Sequence, residues 1–209
     1  MKPKAKSIEV HKNDLPAGLD LGDIVAVDTE TRGLKLERDR LCLVQLSAGD
    51  GDAHLVHLKK GAYQAPNLKK ILGDPKALKI FHFARFDLAV IQKYLGIMAA
   101  PVYCTKFASK LSRTSVDRHG LKDLCRDLLE VEISKTKQCS DWGAEIYDQA
   151  QLEYAASDVL YLHQLKAKLD KLLKREGRMH LAEAAFAFLP ARAEMDLLGW
   201  EATDIFSHS

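Results

Sequence analysis

This sequence has few cysteines, no long apolar run and almost no net charge. The chain has 209 residues and four cysteines, and none of the cysteines forms a CxxC pair or has the spacing of a zinc finger. We therefore expect free thiols in a reducing compartment. No apolar run reaches the length of a membrane span, and the first residues, MKPKAKSIEVHK, lack the apolar core of a secretion signal. We therefore expect a cytoplasmic protein with no membrane partner.

The net charge is too small to indicate a function on its own. The chain has 31 lysines and arginines against 29 acidic residues, a formal charge of +2, so composition alone does not predict nucleic-acid binding. The basic runs KPKAK and LKAKLDKLLKREGR are typical of solvated surface. A hydrophobic content of 47% with 29% charged residues is typical of a globular protein. The chain is long enough to bury a substantial core.

The order of apolar patterns predicts strands first and helices later. Strand-like segments lie at about 23–31, 41–48, 53–58 and 78–83. Helical periodicity then follows, and its predicted segments are Phe86–Leu95, Thr105–Leu111, Leu121–Leu129 and a long helix from about Gln149 to Glu176. Neither a linker nor an internal repeat divides the chain, so we predict one α/β domain with a helical C-terminal appendage. The short turn at Gly49–Asp52 favours an antiparallel pair within its sheet.

Four carboxylates and one tyrosine lie in three separated apolar segments. Asp28 and Glu30 lie in IVAVDTETRGL, Asp87 in KIFHFARFDLAVI, and Tyr154 with Asp158 in LEYAASDVLYL. Alternate residues of a strand share a face, and residues four apart share a face of a helix. Acidic groups within apolar runs are costly to bury without a partner. Oxygen ligands of this kind suit Mg²⁺ or Mn²⁺.

Each of these elements has a simpler interpretation when taken alone. The Asp-x-Glu pair could face solvent, Asp87 could cap a helix, and Tyr154 with Asp158 could be a surface pair. Their combination in this order indicates a site for two divalent cations, which stabilise both the attacking and the leaving oxygen of a phosphodiester. A phenol titrates near pH 10, so Tyr154 is expected to orient the attacking water rather than to act as the base.

The motifs VDTET, FHFARFD and YAASD resemble the three exonuclease motifs of the DEDD superfamily in its tyrosine-bearing DEDDy branch. The surrounding sequence, over about residues 22–170, is similar to ribonuclease D. The resemblance implies a ribonuclease H-like exonuclease fold, in which helices flank a mixed five-stranded sheet. It places a 3′–5′ exonuclease domain at 1–176 and a helical, apolar tail at 177–209.

The same resemblance implies a role for each motif residue. Asp28 would bridge both cations, Glu30 and Asp158 would hold the first, and Asp87 would support the second. Tyr154 matches the tyrosine that positions the water.

The chain length and the ending FLPARAEMDLLGWEATDIFSHS resemble the short bacterial nanoRNase C branch of this family. That branch implies hydrolysis of very short RNAs and dinucleotides to nucleoside 5′-monophosphates, and a ring-shaped homo-octamer. One alternative is a broader, ribonuclease D-like exonuclease that trims longer RNA or DNA. Another is a catalytically silent nucleic-acid-binding module, against which the five intact motif residues argue.

The tail from Leu181 to Phe206 carries many apolar side chains for a terminus. It could fold back onto its own core, or it could cover a neighbouring subunit, since exposed patches of this kind are usually covered. The resemblance to an octameric branch favours the subunit contact.

Substrate contacts are predicted at ten further positions. Leu34 lies where related oligoribonucleases place a wedge between two bases, whereas Phe83 and Phe86 could stack on bases or pack in the core. His82 is expected to be a packed group rather than a ligand. The basic group before Trp142 could contact phosphates or form a charged loop. The complete set of candidates is Thr31, Leu34, His82, Phe83, Phe86, Arg113, Arg118, His119, Lys135 and Lys137.

Overall fold

The computed structural model describes residues 5–134 and 136–208, and its centre is a single mixed sheet. The strands are β1 (Ser7–Lys12), β2 (Ile24–Thr31), β3 (Leu41–Ser47), β4 (Asp52–His57), β5 (Leu78–Phe81) and β6 (Val102–Cys104). Their order across the sheet is β1-β4-β3-β2-β5-β6. β3 is antiparallel to both of its neighbours, β2 and β4, and the remaining pairs are parallel.

The predicted mixed α/β fold is confirmed, but this sheet has six strands where the resemblance implied five. The additional strand, β1, pairs in parallel with β4 at one edge. Its sequence, SIEVHK, is only partly buried, so it lacks the apolar run that marks β2 and β3. Non-local pairing with β4, rather than intrinsic strand propensity, explains why it forms.

Seven α-helices surround the sheet within the described ranges. They are α1 (Pro66–Leu72), α2 (Ala84–Leu95), α3 (Thr105–Ser112), α4 (Leu121–Leu129), α5 (Gln149–Leu160), α6 (Leu162–Arg175) and α7 (Met179–Met195). The predicted long helix is therefore two helices, which meet at Tyr161, where φ is −103° and ψ is −6°. None of the described helices is long and apolar enough to cross a membrane.

The core continues from the sheet into the C-terminal helix. α7 packs against α2, α3 and β6, and its residues Ala182, Phe186, Leu189 and Ala193 are buried in the main core. One π-helical turn, Asp196–Trp200, follows it. Beyond α7, Leu197 still packs against the core, whereas four large apolar side chains are exposed, namely Leu198, Trp200, Ile205 and Phe206. The predicted apolar tail thus divides into a buried helix and an exposed ending.

Candidate active site

β2 brings two carboxylates to one face of the sheet. Val25, Ala26 and Val27 are fully buried and anchor the strand at its centre. Asp28 and Glu30 follow at alternate positions and are only partly exposed. The register with β3 shifts between Glu30 and Thr31, so regular pairing ends where the second carboxylate projects.

α5 supplies the third carboxylate and the tyrosine. Its start is fixed by a capping box, in which Asp148 accepts from the Gln151 amide at 2.7 Å and the Gln151 side chain accepts from the Asp148 amide. Tyr154 and Asp158 then lie one turn apart on the same face. Carboxylate oxygens of Asp28, Glu30 and Asp158 lie within 4.8 Å of one another.

Asp87 lies beside this group of three rather than within it. It belongs to the first turn of α2 and is 5% exposed. The Thr29 hydroxyl donates to its Oδ1 at 2.6 Å. Asp87 is close enough for the charge of Asp28 to raise its pKa, although burial is the larger cause.

Burial and mutual repulsion disfavour the charged forms of these groups. Burial raises the pKa of Asp28 from 3.8 to about 7. Burial also raises the pKa of Glu30 from 4.5 to about 10, and the charges of Asp28, Asp158 and Asp87 add to it. Converging carboxylates need an opposite charge to stay ionised. A donor set made only of oxygens fits a hard divalent cation, and Asp28, Glu30 and Asp158 could hold one, with Asp87 beside them.

The Tyr154 hydroxyl lies at the same centre. Burial is the main cause that raises its pKa, and the Asp158 carboxylate, with which it shares a hydrogen bond, raises it further. The phenol therefore stays protonated at neutral pH and can donate a hydrogen bond. The Trp142 ring lies 6.0 Å from the Tyr154 ring, centroid to centroid, and is 2% exposed, which restricts the position of the phenol.

Three residues that hold Asp28, Asp87 and Tyr154 in place were not predicted from the sequence. Gln45 on β3 is fully buried and donates to Asp28 Oδ2 at 3.2 Å. Thr29 orients Asp87, and Trp142 packs on Tyr154. The one available signal was a glutamine within the apolar run LCLVQLS, where a buried polar group needs a partner.

Leu34 occupies an ordered loop between β2 and β3. Its side chain is 83% exposed. Asp39 fixes the loop, because it accepts from the Lys35 amide at 3.0 Å and from the Arg38 guanidinium at 2.7 Å. The Thr31 hydroxyl donates to the Gly33 carbonyl, so Thr31 supports the loop rather than pointing away from it.

Phe83, Phe86 and His82 lie at the junction between β5 and α2. Phe83 has a left-handed backbone, with φ of 70°, which is costly for a residue with a side chain. Its ring is 39% exposed, with Lys106 Nζ 4.4 Å from the ring centroid. Phe86 is partly buried against the core. His82 Nδ1 shares a 2.9 Å hydrogen bond with the Thr105 hydroxyl, as expected for a packed histidine.

A cavity of about 300 Å³ lies next to these aromatic residues. Leu36, Phe83 and Phe86 line it together with Asp196 and Ala202 from the segment after α7. The C-terminal segment after α7 is therefore close to the start of α2.

An ion-pair cluster next to this cavity joins the start of α2 to the end of α7 and the segment after it. Arg85 binds Asp196 through both Nε and Nη2, the second at 2.7 Å. Arg192 Nη2 lies 3.1 Å from the same carboxylate, and Arg192 also donates to the Trp200 carbonyl at 2.9 Å. We refer to Arg85, Arg192 and Asp196 as the C-terminal latch.

The basic residues proposed for phosphate contact are mostly paired with other side chains. Arg113 binds Asp127 at 2.6 Å, Lys137 binds Asp148 at 2.6 Å, and His119 Nδ1 lies 2.8 Å from the Ser109 hydroxyl. Arg118 is exposed, and Lys135 lies outside the described residues. None of the described contacts of Arg113, His119 and Lys137 is with the four motif carboxylates. Their role in phosphate binding therefore stays a prediction.

The sequence matches a known family over most of its length. Residues 8–174 match the family model described as 3′–5′ exonuclease. Among curated proteins, ribonuclease D of Gluconacetobacter diazotrophicus is 34% identical over 165 residues, which cover 79% of this chain and 42% of that protein. The chain thus spans about two-fifths of the length of that relative.

Solved structures include a much more similar protein of nearly equal extent. NrnC of Brucella melitensis is 58% identical, with a TM-score of 0.95, covering 97% of this chain and 99% of that one. The same protein bound to pGG has a TM-score of 0.94 at 58% identity and the same coverage. Its structure with bound Mg²⁺ has a TM-score of 0.93 at 57% identity, covering 97% and 100%.

Proposed function

Because this chain belongs to the 3′–5′ exonuclease family, we propose that it is a metal-dependent 3′→5′ exoribonuclease. Its substrates are short oligoribonucleotides and dinucleotides, which it hydrolyses to nucleoside 5′-monophosphates. The observation that carries this proposal is the approach of the Asp28, Glu30 and Asp158 oxygens to within 4.8 Å of one another, with Asp87 beside them.

The carboxylates hold two divalent cations, Mg²⁺ or Mn²⁺. The charge of Asp28 raises the pKa of both Glu30 and Asp87, so Asp28 lies near both of them. This supports Asp28 as the ligand shared by both cations. When bound, the cations stabilise charge on the attacking and leaving oxygens of the phosphodiester. A homologue with bound Mg²⁺ supports the choice of metal.

Tyr154 positions the attacking water. Its hydroxyl is protonated at neutral pH and shares a hydrogen bond with Asp158, so it can orient a water next to the carboxylate group. Holding the nucleophile in line with the scissile bond lowers the entropic part of the barrier. Trp142 and Gln45 act on the reaction only by fixing Tyr154 and Asp28.

Leu34 separates the two terminal bases of a bound substrate. A side chain that is 83% exposed on a loop fixed by Asp39 is suited to insertion between stacked bases. The exposed Phe83 ring offers a stacking face, whereas Phe86 packs against the core and His82 shares a hydrogen bond with Thr105. The pGG complex of the similar Brucella protein supports a dinucleotide as substrate.

A degradation time course on 5′-labelled RNAs of graded length tests the proposal. We expect stepwise shortening from the 3′ end that depends on Mg²⁺ or Mn²⁺ and stops when a chelator is added. Turnover of a dinucleotide should exceed that of a long RNA. Faster turnover of the long RNA would instead support the broader, ribonuclease D-like activity.

Two variants control this experiment. Asp28→Asn should abolish hydrolysis, whereas Asp23→Asn removes an exposed carboxylate near the start of the same strand and should leave the rate unchanged. A wild-type protein that binds short RNA but shortens none of the substrates would favour the catalytically silent module.

The predicted domain and assembly are part of the same proposal. We take residues 1–176 as the exonuclease domain and 177–209 as a C-terminal appendage, whose exposed Leu198, Trp200 and Phe206 contact neighbouring subunits in a homo-octamer. Light scattering tests the assembly, and a monomer at micromolar concentration would contradict it.

A further inference from the structure

Two histidines and a glutamate lie together at the opposite edge of the sheet from β6. Glu9 and His11 belong to β1, and His54 belongs to β4, where it pairs directly with Glu9. Alternate residues of a strand share a face, so all three side chains project from one face. We propose that Glu9, His11 and His54 form a second metal site, which binds one Zn²⁺ ion.

The spacing of the three donor atoms fits such an ion. His11 Nε2 lies 3.1 Å from His54 Nδ1, and Glu9 Oε2 lies 3.9 Å from the first and 3.8 Å from the second. A circle through three points at these separations has a radius of about 2.1 Å, which matches the usual distances of about 2.0–2.2 Å from zinc to nitrogen and carboxylate oxygen.

The donor types select a different metal from that of the carboxylate group. Imidazole nitrogens suit Zn²⁺ and other first-row transition ions, whereas Mg²⁺ and Mn²⁺ prefer oxygen. Two histidines with one glutamate make a three-ligand set that leaves a coordination position for water. The Glu9 side chain is 56% exposed, and the side chains of His11 and His54 are 15% and 11% exposed, so water and the ion can enter.

The site is separate from the exonuclease centre. His54 pairs with Leu46 of β3, and Leu46 pairs with Val27 of β2. Paired residues share a face, and neighbours in a strand point to opposite faces. Glu9, His11 and His54 therefore lie on the face of Val27, and Asp28 and Glu30 project from the other face.

The two imidazoles must tilt to receive the ion. Their ring planes are 21° apart and their centroids 5.4 Å apart, so the two nitrogens face each other along a shared hydrogen bond. An ion at about 2.1 Å from each nitrogen lies to the side of that line, towards Glu9. β1 is an edge strand, which makes such a small adjustment possible, and the bound ion would clip β1 to β4.

Zinc titration of the full-length, tag-free protein tests this site. Calorimetry in excess Mg²⁺, with the Asp28→Asn variant measured in parallel, separates the site from the carboxylate centre. We expect one equivalent of Zn²⁺ to bind to both proteins. Co²⁺ in place of Zn²⁺ should give the visible absorption of a four- or five-coordinate ion. At a hundredfold excess over Kd the melting temperature should rise by about 5–10 °C.

Variants of the ligands decide the outcome. His11→Gln and His54→Gln should each weaken Zn²⁺ binding by about 100-fold or more, whereas His180→Gln, at an exposed histidine of α7, should leave it unchanged. Glu9→Gln changes an exposed side chain, so it keeps the fold even if the histidine variants do not, and it should weaken binding about 10-fold. Two results would overturn the proposal. One is unchanged Zn²⁺ binding in Glu9→Gln and in those histidine variants that fold, and the other is a wild-type protein that binds no equivalent of Zn²⁺.

Discussion

At the scale of single residues, the Tyr154 hydroxyl is the group whose task is most narrowly defined. It stays protonated because it is buried and lies next to the Asp158 carboxylate. A group that cannot ionise at neutral pH can donate a hydrogen bond but cannot accept the proton of the attacking water. We therefore propose that the hydroxyl contributes by positioning that water.

Tyr154→Phe should lower kcat by about 10²-fold or more, because the attacking water loses a hydrogen-bond partner. Cation binding should be unchanged, since no carboxylate is removed. Rates on a dinucleotide and calorimetric Mn²⁺ titrations measure the two effects.

Tyr147→Phe is the matched control for that variant. The Tyr147 hydroxyl donates to the Trp142 carbonyl at 2.7 Å, so its hydrogen bond is not made to any of the four motif carboxylates. Equal rate losses in the two variants would show that the effect comes from packing around Trp142 rather than from the water.

Asp28→Asn should reduce hydrolysis by about 10³-fold or more, because it removes the ligand that we propose both cations share. The same variant should be more stable than the wild type when divalent cations are removed at neutral pH, because one member of a repelling group has become neutral. Urea denaturation in chelator measures the second effect, and a loss of stability there would contradict the electrostatic account.

The sequence was sufficient to predict which acidic side chains come together, but not the residues that hold them in place. Asp28, Glu30 and Asp158 stand out because acids are rare in apolar runs, and the structure brings these three together. Gln45 and Thr29 could not be assigned partners, because their hydrogen bonds depend on the register of β2 with β3 and on the position of α2. These are non-local features that no short motif records.

At the scale of elements, the C-terminal latch connects α7 and the segment after it to the start of α2. Asp196 is 6% exposed and accepts from two arginines. A buried carboxylate between two guanidinium groups leaves two unpaired charges when it is neutralised. The latch thus holds the C-terminal segment next to Phe83 and Phe86.

Asp196→Asn should lower the free energy of unfolding by about 3 kcal/mol, because Arg85 and Arg192 lose their shared counter-charge. Glu194→Gln, an exposed change two residues earlier, should cost less than about 0.5 kcal/mol. Urea denaturation of both variants gives the comparison. Similar small losses in both would mean that the latch contributes little to stability.

Helix and strand boundaries were predictable only where local patterns were strong. α2, α3 and α4 lie close to their predicted ranges, since each has clear periodicity and α2 also ends at Gly96. The division between α5 and α6 was missed because apolar residues continue at three- and four-residue steps through Tyr161. β1 was missed because its polar, half-exposed residues form a strand only through pairing with β4.

At the scale of the whole molecule, the buried carboxylates of the candidate active site make the free energy of unfolding depend on pH and on divalent cations. The pKa of Asp28 is raised from 3.8 to about 7, and that of Glu30 from 4.5 to about 10. At a pH between the ordinary and the raised pKa of either group, the folded state binds more protons than the unfolded state. The free energy of unfolding therefore falls as pH rises through that range. Bound cations offset the burial and the repulsion that raise these pKa values.

Without divalent cations, the free energy of unfolding should therefore fall as pH is raised from about 5 to about 8, by up to about 1.4 kcal/mol per pH unit for each group. Mg²⁺ should remove most of the slope. The lowered pKa of His11, His57 and His119 gives a change of opposite sign near pH 6. The decisive measurement is thus the difference between wild type and Asp28→Asn, and parallel curves for the two would contradict the prediction.

The carboxylates come from segments that are far apart along the chain, in β2, α2 and α5. Domains form as units once their parts are available, so translation has to pass α5 before the four acids can meet. A nascent chain that does not yet include α5 lacks Tyr154 and Asp158, and it should therefore not hydrolyse RNA. For the same reason, one proteolytic cut that releases α5 from the sheet should abolish activity, although all four acidic residues remain chemically intact.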